Sequence, residues 1–127
     1  MAQSGVRLPV GPHMKIKIVE KTITLDELRG IASEFYQSMV KGAVDIETRT
    51  AAFGGEYHID ASNALIEDGS RQENIWGFNI QLGMPRESWI EYTSLINIKP
   101  EAGNRDMEVQ DPVVRDNIKN ILEERII

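Results

Sequence analysis

The spacing of apolar residues predicts a helix near each end of the chain. In "LDELRGIASEF" the apolar side chains recur at helical intervals, and Thr24 with Glu27 forms a capping box before them. We expect this helix to end near Gly42. Asp111 followed by Pro112 is typical of a second helix start. The buried side of that last helix is expected at Val114, Ile118, Ile121 and Leu122.

Between the helices, apolar residues recur at every second position, as in strands. The segment "NIWGFNIQL" places Trp76, Phe78 and Ile80 on one face, and "WIEYTSLINIK" alternates in the same way. The linking "GMPRES" is turn chemistry and predicts an antiparallel hairpin. "MKIKIV" predicts a further short strand near the start.

Residues 43–60 predict another hairpin, closed by two glycines. Val44 and Ile46 alternate with charged residues, and Gly54–Gly55 suits a two-residue turn because both positions need positive φ. A competing interpretation extends the first helix to Phe53. The following "SNALIEDGS" is either a short helix that ends at Gly69 or the far end of the strand.

These elements predict an α+β fold. We expect a two-layer sandwich in which a mostly antiparallel sheet of about four to five strands packs against an N-terminal and a C-terminal helix. Residues 1–13 have no periodic pattern and contain "GPH" before Met14, so we interpret them as a disordered leader left by expression. Residues 14–127 form the single predicted domain.

Charge and composition narrow the class of partner. The formal net charge is −6, without a basic cluster, which argues against a nucleic-acid partner. The chain contains no cysteine, which fits a cytoplasmic protein, and we expect a prokaryotic one. Its apolar runs are far shorter than the roughly 18–20 residues of a membrane span, so no membrane partner is expected.

The first candidate site is "EYHID", in which Glu56, His58 and Asp60 alternate along a predicted strand. Side chains two apart share a face about 6–7 Å from each other, so the three could bind a divalent metal or perform acid–base chemistry with Arg49 across the hairpin. The alternative is a solvated sheet face on which Arg49 and Asp60 form an ion pair. No other metal or cofactor is expected.

A second candidate site lies in "NIKPEAGNRD". Asn97 and Lys99 leave the sheet on its predicted polar face, and the turn that holds Asn104 and Arg105 could fold back beside them. A lysine and an arginine near a turn suit a carboxylate or phosphate ligand. The alternative is an ordinary polar loop.

Several segments together resemble a known family. In order, they are "VDIETR", "GGEYHID", "LIEDGSRQENIWGFNI", "SLINIKP" and "GNR". This combination resembles a small prokaryotic family that is catalogued only as a domain of unknown function. The resemblance runs from Met14 to the C-terminal residue and implies no particular activity.

The sequence therefore predicts a small binding or regulatory module. Its partner would be a protein, a small molecule or a second copy of the chain that binds through a sheet edge or helix face. The alternative is a small hydrolase-like enzyme or metal-binding protein that uses Glu56, His58 and Asp60.

Overall fold

A computed structural model, which describes Val6–Arg7 and residues 15–127, shows one antiparallel sheet and helices on both of its faces. The strands are β1 (Val6–Arg7), β2 (Lys17–Val19), β3 (Met39–Asp45), β4 (Thr50–Phe53), β5 (Ile75–Gln81) and β6 (Ile90–Glu91). The helices are α1 (Leu25–Phe35), α2 (His58–Glu67) and α3 (Pro112–Arg125). Strand order is β1-β2-β4-β3-β5-β6. The predicted α+β fold is confirmed.

The larger core lies between one face of the sheet and the helices α1 and α3. Alternate residues of β3, β4 and β5 point into it, and Phe53 meets Phe78 edge-to-face at 5.6 Å between ring centroids. The capping box of Thr24 and Glu27 starts α1 as predicted. Asp111 caps α3, whose fully buried residues are Ile118, Ile121 and Leu122. The prediction for both helix starts is confirmed.

The opposite face of the sheet is covered in part by α2. A smaller core forms where Ala61, Ala64 and Leu65 of the helix pack on Ala43 and Ala52 of the sheet. Small side chains on both surfaces let the helix approach closely. The short helix that was one of two interpretations of "SNALIEDGS" is therefore present, and it begins earlier, at His58.

The predicted hairpin around Gly54–Gly55 is wrong. Strands β3 and β4 pair with each other through the turn at residues 46–49, in register Asp45 opposite Thr50. The Asp45 carboxylate organises this turn by accepting hydrogen bonds from the amides of Glu47 (2.8 Å) and Thr48 (3.1 Å). The extension of the first helix to Phe53, or even to Gly42, is wrong as well, because α1 ends at Phe35.

Gly54 and Gly55 turn the chain from β4 into α2. Their φ angles are 121° and 93°, so both positions have the predicted positive φ, although the turn leads into a helix and does not close a hairpin. A Cβ atom on Gly55 would lie 2.9 Å from that of Asp60. The glycine pair therefore allows α2 to fold back over the sheet.

The long strand predicted at residues 89–99 is wrong beyond Glu91. After Glu91 the chain no longer pairs with β5 as a strand. The side chain of Asn97 instead forms the hydrogen bonds to β5 that a neighbouring strand would form. Its carboxamide accepts from the amide of Gly77 (2.7 Å) and donates to the carbonyl of the same residue (3.0 Å). A Cβ atom on Gly77 would lie 2.5 Å from that of Ser94, so the glycine allows this segment to approach β5 closely.

The N-terminal residues are described only at Val6 and Arg7, which pair with Val19 and Ile18 of β2. The other leader residues lie outside the described part of the chain, so the assignment of residues 1–13 to a disordered leader stays a prediction. Within the described ranges, none of the helices combines the length and the hydropathy that crossing a membrane requires.

Candidate functional site

The residues of "EYHID" do not share a strand face. Glu56 lies exposed before α2, His58 is the first residue of the helix, and Asp60 lies in its first turn. The Asp60 carboxylate accepts a hydrogen bond of 3.0 Å from the amide of Tyr57 and so caps the helix. The strand face on which the acid–base and metal hypotheses depended is absent, and no observation favours either hypothesis.

His58 anchors α2 to β5. Its Nε2 atom lies 2.7 Å from Asn79 Oδ1 and 3.0 Å from the carbonyl oxygen of Phe78. Because both neighbours are acceptors, Nε2 carries the proton. Burial and the nearby Lys41 charge lower the pKa of His58, against opposing contributions from Asn79 and Phe78. The neutral imidazole thus has a packing role at this point.

Arg49 pairs with a residue of α3. Its guanidinium lies 2.6 Å from the carboxylate of Glu124, so the predicted pair with Asp60 is wrong. In residues 15–127, no three His, Asp or Glu side chains are grouped closely enough to hold a metal ion.

The residues of the second predicted cluster, Asn97, Lys99, Asn104 and Arg105, lie in different environments. The Asn97 carboxamide is buried and also reaches the carbonyls of Tyr92 and Met107. Asn104 donates to the carbonyls of Asn97, Asp106 and Glu108 and accepts from the amide of Gln110. Arg105 is exposed. Both asparagines hold the loop together, which leaves Lys99 as the member of the cluster that faces a cavity.

That cavity is an open groove of about 740 Å³ between α2 and the segment 95–102, which we call the Lys99 groove. Its size is typical of small-molecule sites. Its apolar wall consists of Ile59, Ile75, Leu95, Ile96, Ile98, Pro100 and Ala102. Its polar wall consists of Ser62, Gln72, Glu73, Asn74, Lys99 and Glu101. The loop of the second cluster therefore does meet α2, but on the side of Ile59 and Ser62.

Among the described residues that line the groove, Lys99 is the one cation. It is only 8 % exposed, and its Nζ atom donates to the carbonyl of Gln72 at 3.0 Å. No carboxylate of the described residues lies within 4.0 Å of Nζ. Burial lowers the pKa of Lys99, while the charge of Glu101 raises it. An ammonium has three donors, so two remain for a ligand.

Ser62 supplies a second polar group. This residue of α2 is 3 % exposed, lines the groove and makes no side-chain hydrogen bond with any described residue. Sequence patterns did not indicate Ser62 or Ile59 as site residues. Their i, i+3 spacing on a helix was the available signal, and it was hidden by the assignment of this segment to a strand.

Comparison with protein families identifies the family of this chain. The family described as "Protein of unknown function (DUF5674)" matches residues 17–125. The chain belongs to this family. The matched range contains the whole Lys99 groove, and the family description assigns no activity. Neither the search of curated proteins nor that of solved structures found a match.

Proposed function

We propose that this member of the DUF5674 family is a small-molecule-binding module. Its ligand carries a negatively charged group that pairs with Lys99 and an apolar body that covers the isoleucines of the Lys99 groove. The observation that carries the proposal is the ammonium of the buried residue Lys99, which lines the groove and has no carboxylate of the described residues within 4.0 Å.

The energetics of a buried charge support this role. Removing an ammonium from water is costly unless a counter-charge or several hydrogen bonds compensate. Among the described residues, the Lys99 ammonium makes one hydrogen bond, to the Gln72 carbonyl. The Trp76 ring, whose centroid lies 5.3 Å from Nζ, contributes a cation–π interaction. The free protein already carries the cost of removing this ammonium from water. An anionic ligand would place a counter-charge beside it and so reduce that cost, which favours binding.

The walls of the groove suit an amphiphilic ligand. Ile59, Leu95 and Ile98 are exposed at the groove, and apolar surface of this kind is stabilised when a ligand covers it. The Ser62 hydroxyl can donate to the ligand's charged group. The proposal places the protein in the cytoplasm of a prokaryote. The sequence contains no cysteine, which fits the cytoplasmic location.

The test is a titration followed by amide chemical shifts, with 4-methylpentanoate and 3-methylbutyl phosphate as probes. We expect shifts in residues 59–62, 72–76 and 95–102. Lys99→Met should weaken binding by roughly tenfold or more, since a hydrogen bond to a charged group contributes about 1.5–3 kcal/mol. The control, Lys21→Met, changes an exposed lysine outside the groove and should bind as the wild type does.

Trp76 provides an independent signal. In a Trp89→Phe background its fluorescence reports on the environment of Lys99, because Nζ lies over the ring. If neither probe shifts the groove residues, or if Lys99→Met folds normally and binds both probes unchanged, the proposal fails.

A further inference from the structure

We infer that the ligand of the Lys99 groove is a zwitterion with a branched aliphatic body: a free apolar amino acid or a short peptide. The inference rests on the proposed function and narrows its ligand class. It follows from the position of Glu101, two residues after Lys99 on the same wall of the groove.

The charged residues of the groove are Lys99, Glu73 and Glu101. The carboxylate of Glu73 lies 3.1 Å from the guanidinium of Arg71 and is thereby neutralised within the protein. Glu101 is exposed, and no cation of the described residues lies within 4.0 Å of its carboxylate. The groove therefore offers one buried positive group and one exposed negative group.

This arrangement favours a dipolar ligand. A carboxylate placed on the Lys99 ammonium leaves Glu101 facing the outer part of the ligand, where an ammonium would be attracted and a second negative charge would be repelled. A phosphate dianion would bring two negative charges to one cation and would also meet the unpaired carboxylate of Glu101. An amino acid presents one negative and one positive group, which complements the one cation and the one unpaired carboxylate among the described lining residues.

The groove that holds the two charges also has an apolar lining. Ile59 of α2 and Ile96 and Ile98 of the facing segment line the groove, so an aliphatic side chain would have contacts on both sides. Exposed Leu95 extends this surface toward solvent. A volume of about 740 Å³ admits either a single amino acid or a short peptide.

Four small probes separate the contributions of the two charges. Leucine carries both, 4-methylpentanoate lacks the ammonium, 3-methylbutylamine lacks the carboxylate, and N-acetylleucine keeps the carboxylate while losing the cation. Chemical-shift titrations of residues 95–102 should show leucine binding more tightly than 4-methylpentanoate and N-acetylleucine by up to about fivefold, the strength of an exposed ion pair. The amine alone should bind most weakly.

The variants Glu101→Gln and Glu73→Gln form a matched pair. Glu101→Gln should remove the preference for leucine over 4-methylpentanoate, whereas Glu73→Gln should preserve it. Leucyl-leucine, compared with leucine, distinguishes a peptide from a free amino acid within the same class.

The experiment distinguishes failure of the zwitterion inference from failure of the proposed function. If 4-methylpentanoate binds the wild type as tightly as leucine, or if Glu101→Gln keeps the preference, the zwitterion is wrong and the anion-binding function stands. If 3-methylbutyl phosphate binds and the carboxylate probes do not, the zwitterion is again wrong and the anion-binding function stands. If neither the carboxylates nor 3-methylbutyl phosphate binds, the proposed function itself is wrong.

Discussion

The Nζ atom of Lys99 donates to the main chain of Gln72 and lies over the ring of Trp76, at 3.0 Å and 5.3 Å respectively. The contact joins the segment 95–102 to the turn that precedes β5, and so fixes one side of the groove. The same side chain thus lies where two segments of the groove meet and is the group proposed to bind the ligand.

Lys99→Met should leave the free energy of unfolding at neutral pH unchanged or raise it. The substitution removes the cost of burying an ammonium and keeps a side chain of similar length. Because the folded-state pKa of Lys99 lies below its ordinary value of 10.5, wild-type stability should rise as pH increases from the folded pKa toward 10.5. Urea denaturation at a series of pH values should show a flatter profile for the variant; an identical slope would contradict this account.

His58 should make the fold sensitive to acid. Its pKa in the folded state is below the ordinary 6.5, mainly through burial, so the folded protein resists protonation more than the unfolded chain does. The stability is fully present above pH 6.5 and should decrease as the pH falls below it. His58→Gln retains a nitrogen donor for Asn79 and Phe78, and its unfolding free energy should depend less on pH between about 7 and 5. Equal acid sensitivity of the two proteins would exclude His58 as the source.

Asn97→Leu should destabilise the protein by about 3 kcal/mol or more. The change leaves the amide of Gly77 and three carbonyls without the carboxamide that now pairs with them, and each unsatisfied buried group costs about 1–3 kcal/mol. The control is Asn63→Leu, at an exposed position of α2, which should remain within about 0.5 kcal/mol of the wild type. Urea denaturation measures both. A loss below about 1 kcal/mol for Asn97→Leu would show that water replaces the carboxamide.

Two glycine-to-alanine changes should have opposite effects. A Cβ atom on Gly42 would lie 2.4 Å from the Phe78 ring and 2.6 Å from the Ala52 carbonyl oxygen, so Gly42→Ala should cost about 1–3 kcal/mol. Gly30 lies in α1 with nothing within 4 Å of its added Cβ, and Gly30→Ala should stabilise by about 0.5–1 kcal/mol. Thermal melting distinguishes the two variants. Similar melting temperatures would contradict the packing at Gly42.

The elements that sequence patterns predict well are those whose signals are local. The capping box at Thr24 and the Asp111–Pro112 start of α3 are formed by neighbours in the chain, and both are present. The alternation in β5 is equally local and places Trp76, Phe78 and Ile80 in the core. These three positions needed no knowledge of distant contacts.

The errors arise where two local structures share one sequence signal. Gly54 and Gly55 have the positive φ angles expected of a hairpin turn, but the same angles also lead from a strand into a helix. The choice depends on the burial of Ala61, Ala64 and Leu65 against the sheet, which is a long-range effect. A hairpin at these glycines would place Glu56, His58 and Asp60 on one strand face, whereas in the structure His58 and Asp60 belong to α2.

Of the residues that line the Lys99 groove, sequence patterns predict one, Lys99, as a ligand-binding residue. Lys99 was among the ligand-binding candidates, while Asn97 and Asn104 belong to the loop's internal hydrogen bonds. The other walls of the groove depend on how α2 packs relative to residues 95–102. No spacing within either segment specifies that relationship.

The contact between the two ends of the folded unit has a consequence for synthesis on the ribosome. Ile23, just before α1, bridges to Ile126 after α3, and Ile118, Ile121 and Leu122 of α3 complete the larger core. Until α3 has been synthesised, the sheet face with Phe53 and Phe78 has no cover from that helix. Between the synthesis of β5 and that of α3, a nascent chain would therefore present this apolar surface to chaperones or to other chains, and folding of this unit can be completed only as α3 docks.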